Sequence, residues 1–206
     1  IELFKQFLQY ARQRLTTEYK CVENLVDKAD NFLSDTSMGL ERTKKIVLDL
    51  RNMSRLDEAN FKEINIDDGI NSTITIIAHL AKEKDIELVK DLNTKSNISC
   101  FPSKLNQVIL NLMTNAIQAT EPGGRVKVAT REEQEQVSIV IEDSGCGISK
   151  ENLTKIFDPF FTTKPIGEGT GLGLSISYKI IEEHKGKLLV KSKLGEGTSF
   201  TILLKK

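Results

Sequence analysis

The sequence predicts an α+β protein, in which a helical hairpin precedes a sandwich of helices on a mixed sheet. Over the first 55 positions, apolar residues recur at steps of about three and four, which is typical of amphipathic helices. From about position 61, such segments alternate with short segments of alternating apolar and polar residues, which is typical of half-buried strands. A content of 39% hydrophobic and 28% charged residues is that of a globular chain.

The composition gives no sign of a strongly acidic or basic partner. There are 29 basic and 29 acidic residues, so the formal net charge is zero and we expect no nucleic-acid partner. No apolar run reaches the roughly 18 residues of a membrane span, and no signal peptide is present. We expect a cytoplasmic fragment without direct membrane contact, whose parent is either soluble or membrane-anchored. The three cysteines are scattered and lack Cys-x-x-Cys spacing, so the sequence supports neither a disulfide framework nor a zinc site.

The N-terminal region predicts two helices. Apolar residues from Leu3 to Leu33 indicate one long helix, the polar stretch 34–39 predicts a turn, and a second helix follows and ends near Arg55. Such a hairpin exposes one apolar stripe, which a second copy would cover in a dimeric four-helix bundle. Packing of the hairpin on the rest of the chain is the alternative.

The remaining chain predicts an α+β sandwich, in which seven strands form a mixed sheet under three helices. Asp67 can cap the first of these helices, and Pro102 suits the start of the second. The strands are expected at 61–66, 86–91, 98–101, 125–131, 136–142, 187–193 and 198–204, and the helices at 67–84, 103–120 and 172–185. The predicted domains are the hairpin over 1–56, a linker over 57–63 and a second domain over 64–206.

Two glycine-rich loops indicate phosphate binding. Asp143-Ser144-Gly145-Cys146-Gly147-Ile148 follows a strand, and residues 167–174, Gly-Glu-Gly-Thr-Gly-Leu-Gly-Leu, run directly into a helix. Alternate glycines let backbone N–H groups converge on an anion, and the helix start adds unpaired donors. A flexible hinge is the alternative for either loop alone, but two such loops favour an anion site.

A polar stripe lies on the helix that is expected at 103–120, which precedes both glycine-rich loops in the sequence. Gln107, Asn111 and Asn115 are spaced by four residues and therefore share one helix face. On an otherwise apolar helix, such a stripe must face water, a partner or a ligand. An amide oxygen suits a magnesium ion that is held mainly by nucleotide phosphates. A solvent-facing surface is the alternative.

Four segments, in order, resemble the sequence boxes of sensor histidine kinases. Asn111 to Ala116 resembles the N box, Asp143 to Ile148 the first glycine box, Phe157 to Phe161 the F box, and Gly169 to Leu174 the second glycine box. The resemblance covers about residues 64–206. It implies a Bergerat-type ATP-binding fold, also found in gyrase and mismatch-repair ATPases, which binds ATP and Mg²⁺.

The hairpin resembles the dimerisation and phosphotransfer element of the same family. Gly39 to Arg42 and Leu50 to Arg55 carry this resemblance. It implies a homodimer that transfers the γ-phosphoryl group to a histidine and passes it to the receiver domain of a response regulator.

The resemblance also implies roles for individual residues. Asp143 would accept a hydrogen bond from the adenine amino group, and guanine would be rejected because it presents an acceptor there. Thr198 would support Asp143, and Asn115 would bind Mg²⁺ beside Asn111. Lys164 would contact the β- or γ-phosphate in a mobile lid between Phe157 and Gly171, although a solvated lysine is equally compatible. The other expected nucleotide-binding residues are Gly145, Gly147, Ile148, Gly169, Thr170, Gly171, Leu172, Gly173 and Leu174.

Asn111 favours phosphoryl transfer over hydrolysis. Related ATPases typically carry a water-activating glutamate four residues before the magnesium asparagine, and an amide has no useful basicity. Positioning and electrostatics would then supply most of the rate.

The sequence departs from the kinase pattern because positions 1–55 contain no phosphoacceptor histidine. His79 is expected to be partly exposed and His184 to complement a helix C-terminus, so neither is expected to react. We expect the acceptor upstream of Ile1 and expect this chain not to autophosphorylate. Two alternatives remain, a protein serine kinase of the same fold and a non-catalytic interaction module.

Overall fold

The chain divides into two compact units. The computed structural model describes residues 3, 5–7, 9, 20–54, 61–165 and 169–206. One unit comprises Ile1–Arg51 with Thr163–Thr170, and the other comprises Asn52–Thr162 with Gly171–Lys206. The domain limits expected from sequence remain a prediction. Residues 55–60, which include most of the predicted linker, lie outside the described residues.

The first unit contains nearly all of one long helix, α1, over Lys20–Ser54, whose last three residues are counted with the second unit. The turn predicted at 34–39 is wrong, because these residues are helical. Thr36 donates its hydroxyl hydrogen bond to the Phe32 carbonyl (2.7 Å), and Thr43 donates to the Gly39 carbonyl (2.9 Å). Polar side chains in this stretch therefore bond to their own helix rather than end it. Residues 3, 5–7 and 9 are also helical, and residues 10–19 lie outside the described residues.

The second unit contains a mixed five-stranded sheet with helices beside it. The elements are β1 Lys62–Asn65, α2 Ile66–Glu83, β2 Glu87–Asp91, β3 Asn97–Cys100, α3 Pro102–Ala119, β4 Arg125–Glu132, β5 Gln136–Asp143, α4 Lys150–Leu153, α5 Gly173–Glu183, β6 Lys187–Lys193 and β7 Gly197–Lys205. The sheet order is β2-β4-β5-β7-β6, in which β2 and β4 are parallel and the other neighbours are antiparallel. The remaining strands, β1 and β3, form a separate antiparallel pair, so the single predicted sheet holds five strands rather than seven.

The core lies between one face of this sheet and the three long helices. Strands β5 and β7 bury every second side chain, as the alternating sequence predicts, and β4 does so with Ala129 buried in addition. Helix α3 is central, since it contacts α2, α5, β4 and β5. Its buried residues include Val108, Ile109 and Leu112. The predicted α+β fold is confirmed, and α3 is the element that joins the helix layer to the sheet.

Helix α2 begins differently from the prediction. The cap is Asn65, whose side-chain oxygen accepts a hydrogen bond from the Asp67 backbone N–H (2.9 Å). Asp67 instead uses its carboxylate to accept from the Thr130 hydroxyl (2.9 Å) and the Thr94 backbone N–H (3.0 Å). The predicted cap is therefore wrong by two residues, and Asp67 anchors the helix to β4.

Glu132, at the end of β4, holds two distant segments. Its carboxylate accepts hydrogen bonds from Lys206 Nζ (2.7 Å), the Lys95 backbone N–H (2.8 Å) and the Ser96 backbone N–H (3.1 Å). The hydrogen bond from Lys206, followed by those from Ser96 and Lys95, holds the pKa of Glu132 well below its usual value. The C-terminus and the segment before β3 are thus bound to one charged group.

Within the described ranges, no helix combines the length and the apolar character that crossing a bilayer requires.

Candidate functional site

Asp143 closes β5 and is half-buried beside β7. Its Cα is in register with that of Thr198. Its Oδ1 accepts hydrogen bonds from the Gly145 backbone N–H (2.9 Å) and the Thr198 backbone N–H (3.2 Å). Burial raises the pKa of Asp143, and the two N–H groups oppose that shift. Within the described part of the chain, Oδ2 has no hydrogen-bond partner, so it is available to accept from a ligand.

The glycines of the loop after β5 are required by close backbone contacts. A Cβ on Gly145 would lie 2.4 Å from the Ala119 carbonyl oxygen at the end of α3. Gly147 has φ +69°, and a Cβ there would lie 2.1 Å from the Lys193 carbonyl oxygen. Two backbone hydrogen bonds fix the loop, one from Cys146 N to Ala119 O (3.1 Å) and one from Gly195 N to Cys146 O (2.7 Å). The crowding shown here is with protein backbone, whereas the sequence suggested that these glycines let backbone N–H groups converge on an anion.

Ser192 is a residue of this site that sequence reasoning missed. Its hydroxyl accepts a hydrogen bond from the Ile148 backbone N–H (2.8 Å), donates to the Gly197 carbonyl (2.8 Å) and lies 2.9 Å from Thr198 Oγ1. Asp143, Ser192 and Thr198 also line one open cavity of about 490 Å³ at this end of the sheet. A sequence signal did exist, because Ser192 is a polar residue in the inward phase of β6, where Leu188 is buried.

Asn111 of α3 contacts α5, and Asn115 contacts Asn111. Asn111 Nδ2 donates to Ser177 Oγ (2.9 Å), and Asn115 Nδ2 donates to Asn111 Oδ1 at 3.5 Å. A Cβ on Gly173 would lie 2.3 Å from Asn111 Oδ1. The sequence analysis expected this polar stripe to face water, a partner or a ligand. In the structure, Asn111 instead packs α3 against the first turns of α5. Ser177 is the second residue that was missed.

The second glycine loop enters α5 through a tight contact. Gly171 has φ +67°, and a Cβ there would lie 2.3 Å from the Phe160 carbonyl carbon. Phe160 itself has φ +66° and is 63% exposed. Leu172 is buried and precedes α5, and Leu174 is half-buried in its first turn. The F box and the second glycine box are therefore in backbone contact.

Most of the expected site residues form one continuous set of contacts. It runs from Asp143 through the first glycine loop to the end of α3, and along α3 to the first turns of α5. Lys164, Gly169 and Thr170 are half-buried but belong to the unit that contains α1. Positions 166–168 of the expected lid lie outside the described residues.

Neither histidine joins this set. His79 is exposed on α2. His184 follows α5, its Nε2 accepts a hydrogen bond from the Phe101 backbone N–H (2.9 Å), and its Nδ1 lies 2.7 Å from the Ile180 carbonyl oxygen. His184 thus fastens the end of α5 to the start of α3, which is a structural use.

The sequence has clear relatives. Residues 101–206 match the family model described as histidine kinase-, DNA gyrase B-, and HSP90-like ATPase. The chain is 34% identical over 175 residues to the signal transduction histidine-protein kinase AtoS of Escherichia coli strain K12, which covers 84% of this chain and 28% of AtoS. It is 31% identical over 202 residues to sporulation kinase E of Bacillus subtilis strain 168, which covers 97% of this chain and 26% of that kinase. The chain thus spans about a quarter of the length of these relatives.

Solved structures support the same assignment. The catalytic domain of histidine kinase ThkA superimposes with a TM-score of 0.65 at 32% identity, over 71% of this chain and 98% of that one. The complex of ThkA with response regulator protein TrrA matches with a TM-score of 0.70 at 26% identity, over 99% of this chain and 57% of that one. The chain therefore belongs to the histidine kinase-, DNA gyrase B- and HSP90-like ATPase family and contains a catalytic domain of the sensor histidine kinase type.

Proposed function

We propose that this chain is the catalytic core of a two-component sensor histidine kinase. It binds Mg-ATP and transfers the γ-phosphoryl group to a histidine other than the two in this sequence, for relay to the receiver domain of a response regulator. The observation that carries the proposal is the carboxylate of Asp143, anchored through Oδ1 and open at Oδ2. The ThkA–TrrA complex supports the choice of partner.

Asp143 would select the base. Its Oδ2 is an acceptor that suits the amino group of adenine. A guanine base would place a carbonyl oxygen against the same carboxylate, and the buried charge would lose its partner. The half-buried Ile148 lies on the adjoining loop, where it would pack against the base.

The start of α5 would receive the phosphates. Leu172, which precedes the helix, offers no side-chain hydrogen bond to the first turn. Backbone N–H groups of a helix start, together with the helix dipole, bind anions. The charge of Lys164 and the backbone of Gly169, Thr170 and Gly171 would assist from the preceding segment.

The amide oxygen of Asn115 would hold Mg²⁺. Asn115 is half-buried on α3, one turn beyond Asn111. A neutral oxygen ligand fits an ion whose other ligands are phosphate oxygens and water. When bound, the ion would neutralise charge on the transferring phosphoryl group.

Asn111 supports transfer rather than hydrolysis. Its amide nitrogen is engaged with Ser177, and its oxygen accepts from Asn115. An amide in these contacts does not take a proton from water, so ATP hydrolysis lacks a general base at this position.

A homodimer would form through α1. Five large apolar residues among the described residues of this helix are at least half-exposed. Apart from Met38, they are spaced by seven or eight positions, namely Leu25, Phe32, Leu40 and Val47. This spacing places them along one side of the helix. A second copy would cover this side, as in a four-helix bundle. We expect Phe32→Glu to convert a dimer to a monomer in light scattering while ATP affinity is retained; a dimer that persists would argue against this interface.

Calorimetric titration tests the nucleotide site. Wild-type chain should bind ATP with Mg²⁺ more tightly than GTP, and Asp143→Asn should lose most of that preference. A chain that binds no nucleotide would instead be a non-catalytic interaction module.

Labelled ATP tests the reaction. This chain alone should acquire no acid-labile, base-stable phosphate, but it should phosphorylate an added dimerisation segment that carries a histidine followed by Glu or Asp. Phosphoserine in phosphoamino-acid analysis would favour a serine kinase of the same fold.

A further inference from the structure

We infer that Ser192 is a positioning residue for base selection at this site. Its hydroxyl holds the first glycine loop and orients the hydroxyl of Thr198 so that Thr198 Oγ1 presents only acceptor lone pairs beside Asp143. The inference rests on the proposed function, because it concerns how the same site distinguishes 6-aminopurine from 6-oxopurine nucleotides.

The hydrogen bonds of Ser192 use its full capacity. A serine hydroxyl has one proton and two lone pairs. The Ile148 backbone N–H can only donate, so it occupies one lone pair. The Gly197 carbonyl can only accept, so it takes the serine proton. The contact with Thr198 Oγ1 at 2.9 Å then requires Thr198 to donate to the second lone pair. This is the arrangement in which every group is satisfied.

This arrangement determines what Thr198 offers to a ligand. Its hydroxyl proton points to Ser192, and its backbone N–H is used by Asp143 Oδ1 (3.2 Å). The remaining lone pairs of Thr198 Oγ1 can only accept. Ser192 and Thr198 are in register on β6 and β7, and Thr198 is in register with Asp143 on β5, so the three lie in one row across the sheet. A base, or a water between base and protein, meets acceptors from both Asp143 and Thr198.

Removal of the Ser192 hydroxyl would change the pattern of donors and acceptors at Thr198, although Ser192 itself would not contact the ligand. Thr198 would become free to rotate and donate, and the Ile148 N–H would lose its partner. A 6-oxo group would then find a donor, whereas a 6-amino group would lose an acceptor. The expected effect is a loss of discrimination in addition to a loss of affinity.

The test compares ATP with inosine triphosphate, which replaces the 6-amino group by a 6-oxo group. Competition against a fluorescent ATP analogue gives both dissociation constants. In Ser192→Ala, ATP should bind roughly five- to tenfold more weakly, as expected for about one lost hydrogen bond. Inosine triphosphate should bind with nearly unchanged affinity, so the ratio of the two constants should fall. Ser199→Ala, on the neighbouring strand and the opposite sheet face, should leave the ratio unchanged.

A second pair of variants guards against a folding defect. The side chains introduced by Ser192→Thr and Ser192→Val have nearly the same shape, but only threonine keeps a hydroxyl group. The threonine variant should keep the wild-type ratio, and the valine variant should lose it. If both variants keep the wild-type ratio, or if Ser192→Ala lowers only the melting temperature, the inference is wrong and Ser192 is purely structural. If wild-type chain binds neither nucleotide, the proposed function itself fails and the inference fails with it.

Discussion

The buried position of Asp143 costs stability while the carboxylate is charged. Burial is the largest influence and raises its pKa, and the N–H groups of Gly145 and Thr198 compensate only in part. A carboxyl group with a raised pKa holds its proton more tightly in the folded state than in the unfolded state. Its contribution to the free energy of unfolding therefore increases as the pH falls through the folded pKa, and is least favourable at neutral pH.

Asp143→Asn is thus expected to weaken ATP binding and, at the same time, to stabilise the nucleotide-free protein at pH 7. The neutral amide keeps an oxygen for Gly145 and Thr198 but removes the buried charge. ATP affinity should fall roughly 10- to 100-fold, as expected for a lost charge-assisted hydrogen bond. The nucleotide-free variant should melt at a higher temperature than wild type at pH 7, and the difference should narrow as the pH is lowered. Calorimetry at pH 7 and pH 4 measures both; a lower melting temperature at pH 7 would show that the hydrogen bonds outweigh burial.

Two cysteines should report the site by their reactivity. Cys146 is exposed in the first glycine loop, whereas Cys100 is buried, and burial raises its pKa to about 11. Because the thiolate is the reacting form, iodoacetamide should label Cys146 and spare Cys100. Saturating ATP should slow the labelling of Cys146. Mass spectrometry of peptides resolves the two positions, with Cys146→Ser as control; equal labelling of both would contradict the described burial.

Among the elements, α1 shows where local composition misleads. The stretch 34–39 contains Ser, Asp, Thr and Gly, residues typical of turns, yet it lies inside the helix. Helix propensity is a weak preference, and threonine hydroxyls that bond to the carbonyl four residues earlier satisfy themselves within a helix. The alternating strands β4 to β7 were predictable because one face is buried. The four-residue α4 was not, since it is too short to show a period.

Gly39→Ala tests the continuity of α1. Gly39 is exposed inside the helix, and nothing lies within 4 Å of an added Cβ. Alanine should therefore raise the free energy of unfolding by about 0.5–1 kcal/mol. Gly123→Ala is the matched control: it has equal space but φ +80°, so alanine should destabilise the protein. Urea denaturation followed by circular dichroism measures both. A destabilised Gly39→Ala variant would favour a turn at this position.

For the molecule as a whole, the sequence shows where the candidate site lies, but it does not show which distant residues hold the site in place. The glycine loops, Asp143 and the asparagines stand out because glycine and amide spacing is visible along the chain. Ser192 and Ser177 do not, because the residues of the site that they hold, Ile148 and Asn111, are 44 and 66 residues away in the sequence. Such pairings follow from strand register and helix packing, which a single sequence does not encode locally. The separation of β1 and β3 from the main sheet is non-local for the same reason.

Glu132 makes the stability of the whole second unit depend on pH. Its pKa is lowered, first by the hydrogen bond from Lys206 and then by those from Ser96 and Lys95. A lowered pKa contributes stability above the unfolded value of about 4.3, and this contribution is lost as the pH falls toward the folded pKa. Glu132→Gln should therefore destabilise the protein at pH 7 and have less effect at pH 3.5. Urea denaturation at both values measures this, with the exposed Glu133→Gln as control; an equal effect at both pH values would contradict it.

The contact between Phe160 and Gly171 has a consequence for how this chain can vary. Both residues have left-handed backbone conformations, and they meet so closely that a Cβ on Gly171 would overlap the Phe160 carbonyl. The two ends of the chain between Phe160 and Gly171 are consequently already joined. Doubling the length of such a loop costs only about 0.6 kcal/mol of closure entropy. The framework around these anchors can therefore tolerate changes in the length of the chain between them, whereas replacing Lys164, Gly169 or Thr170 would remove the phosphate contacts proposed for these residues.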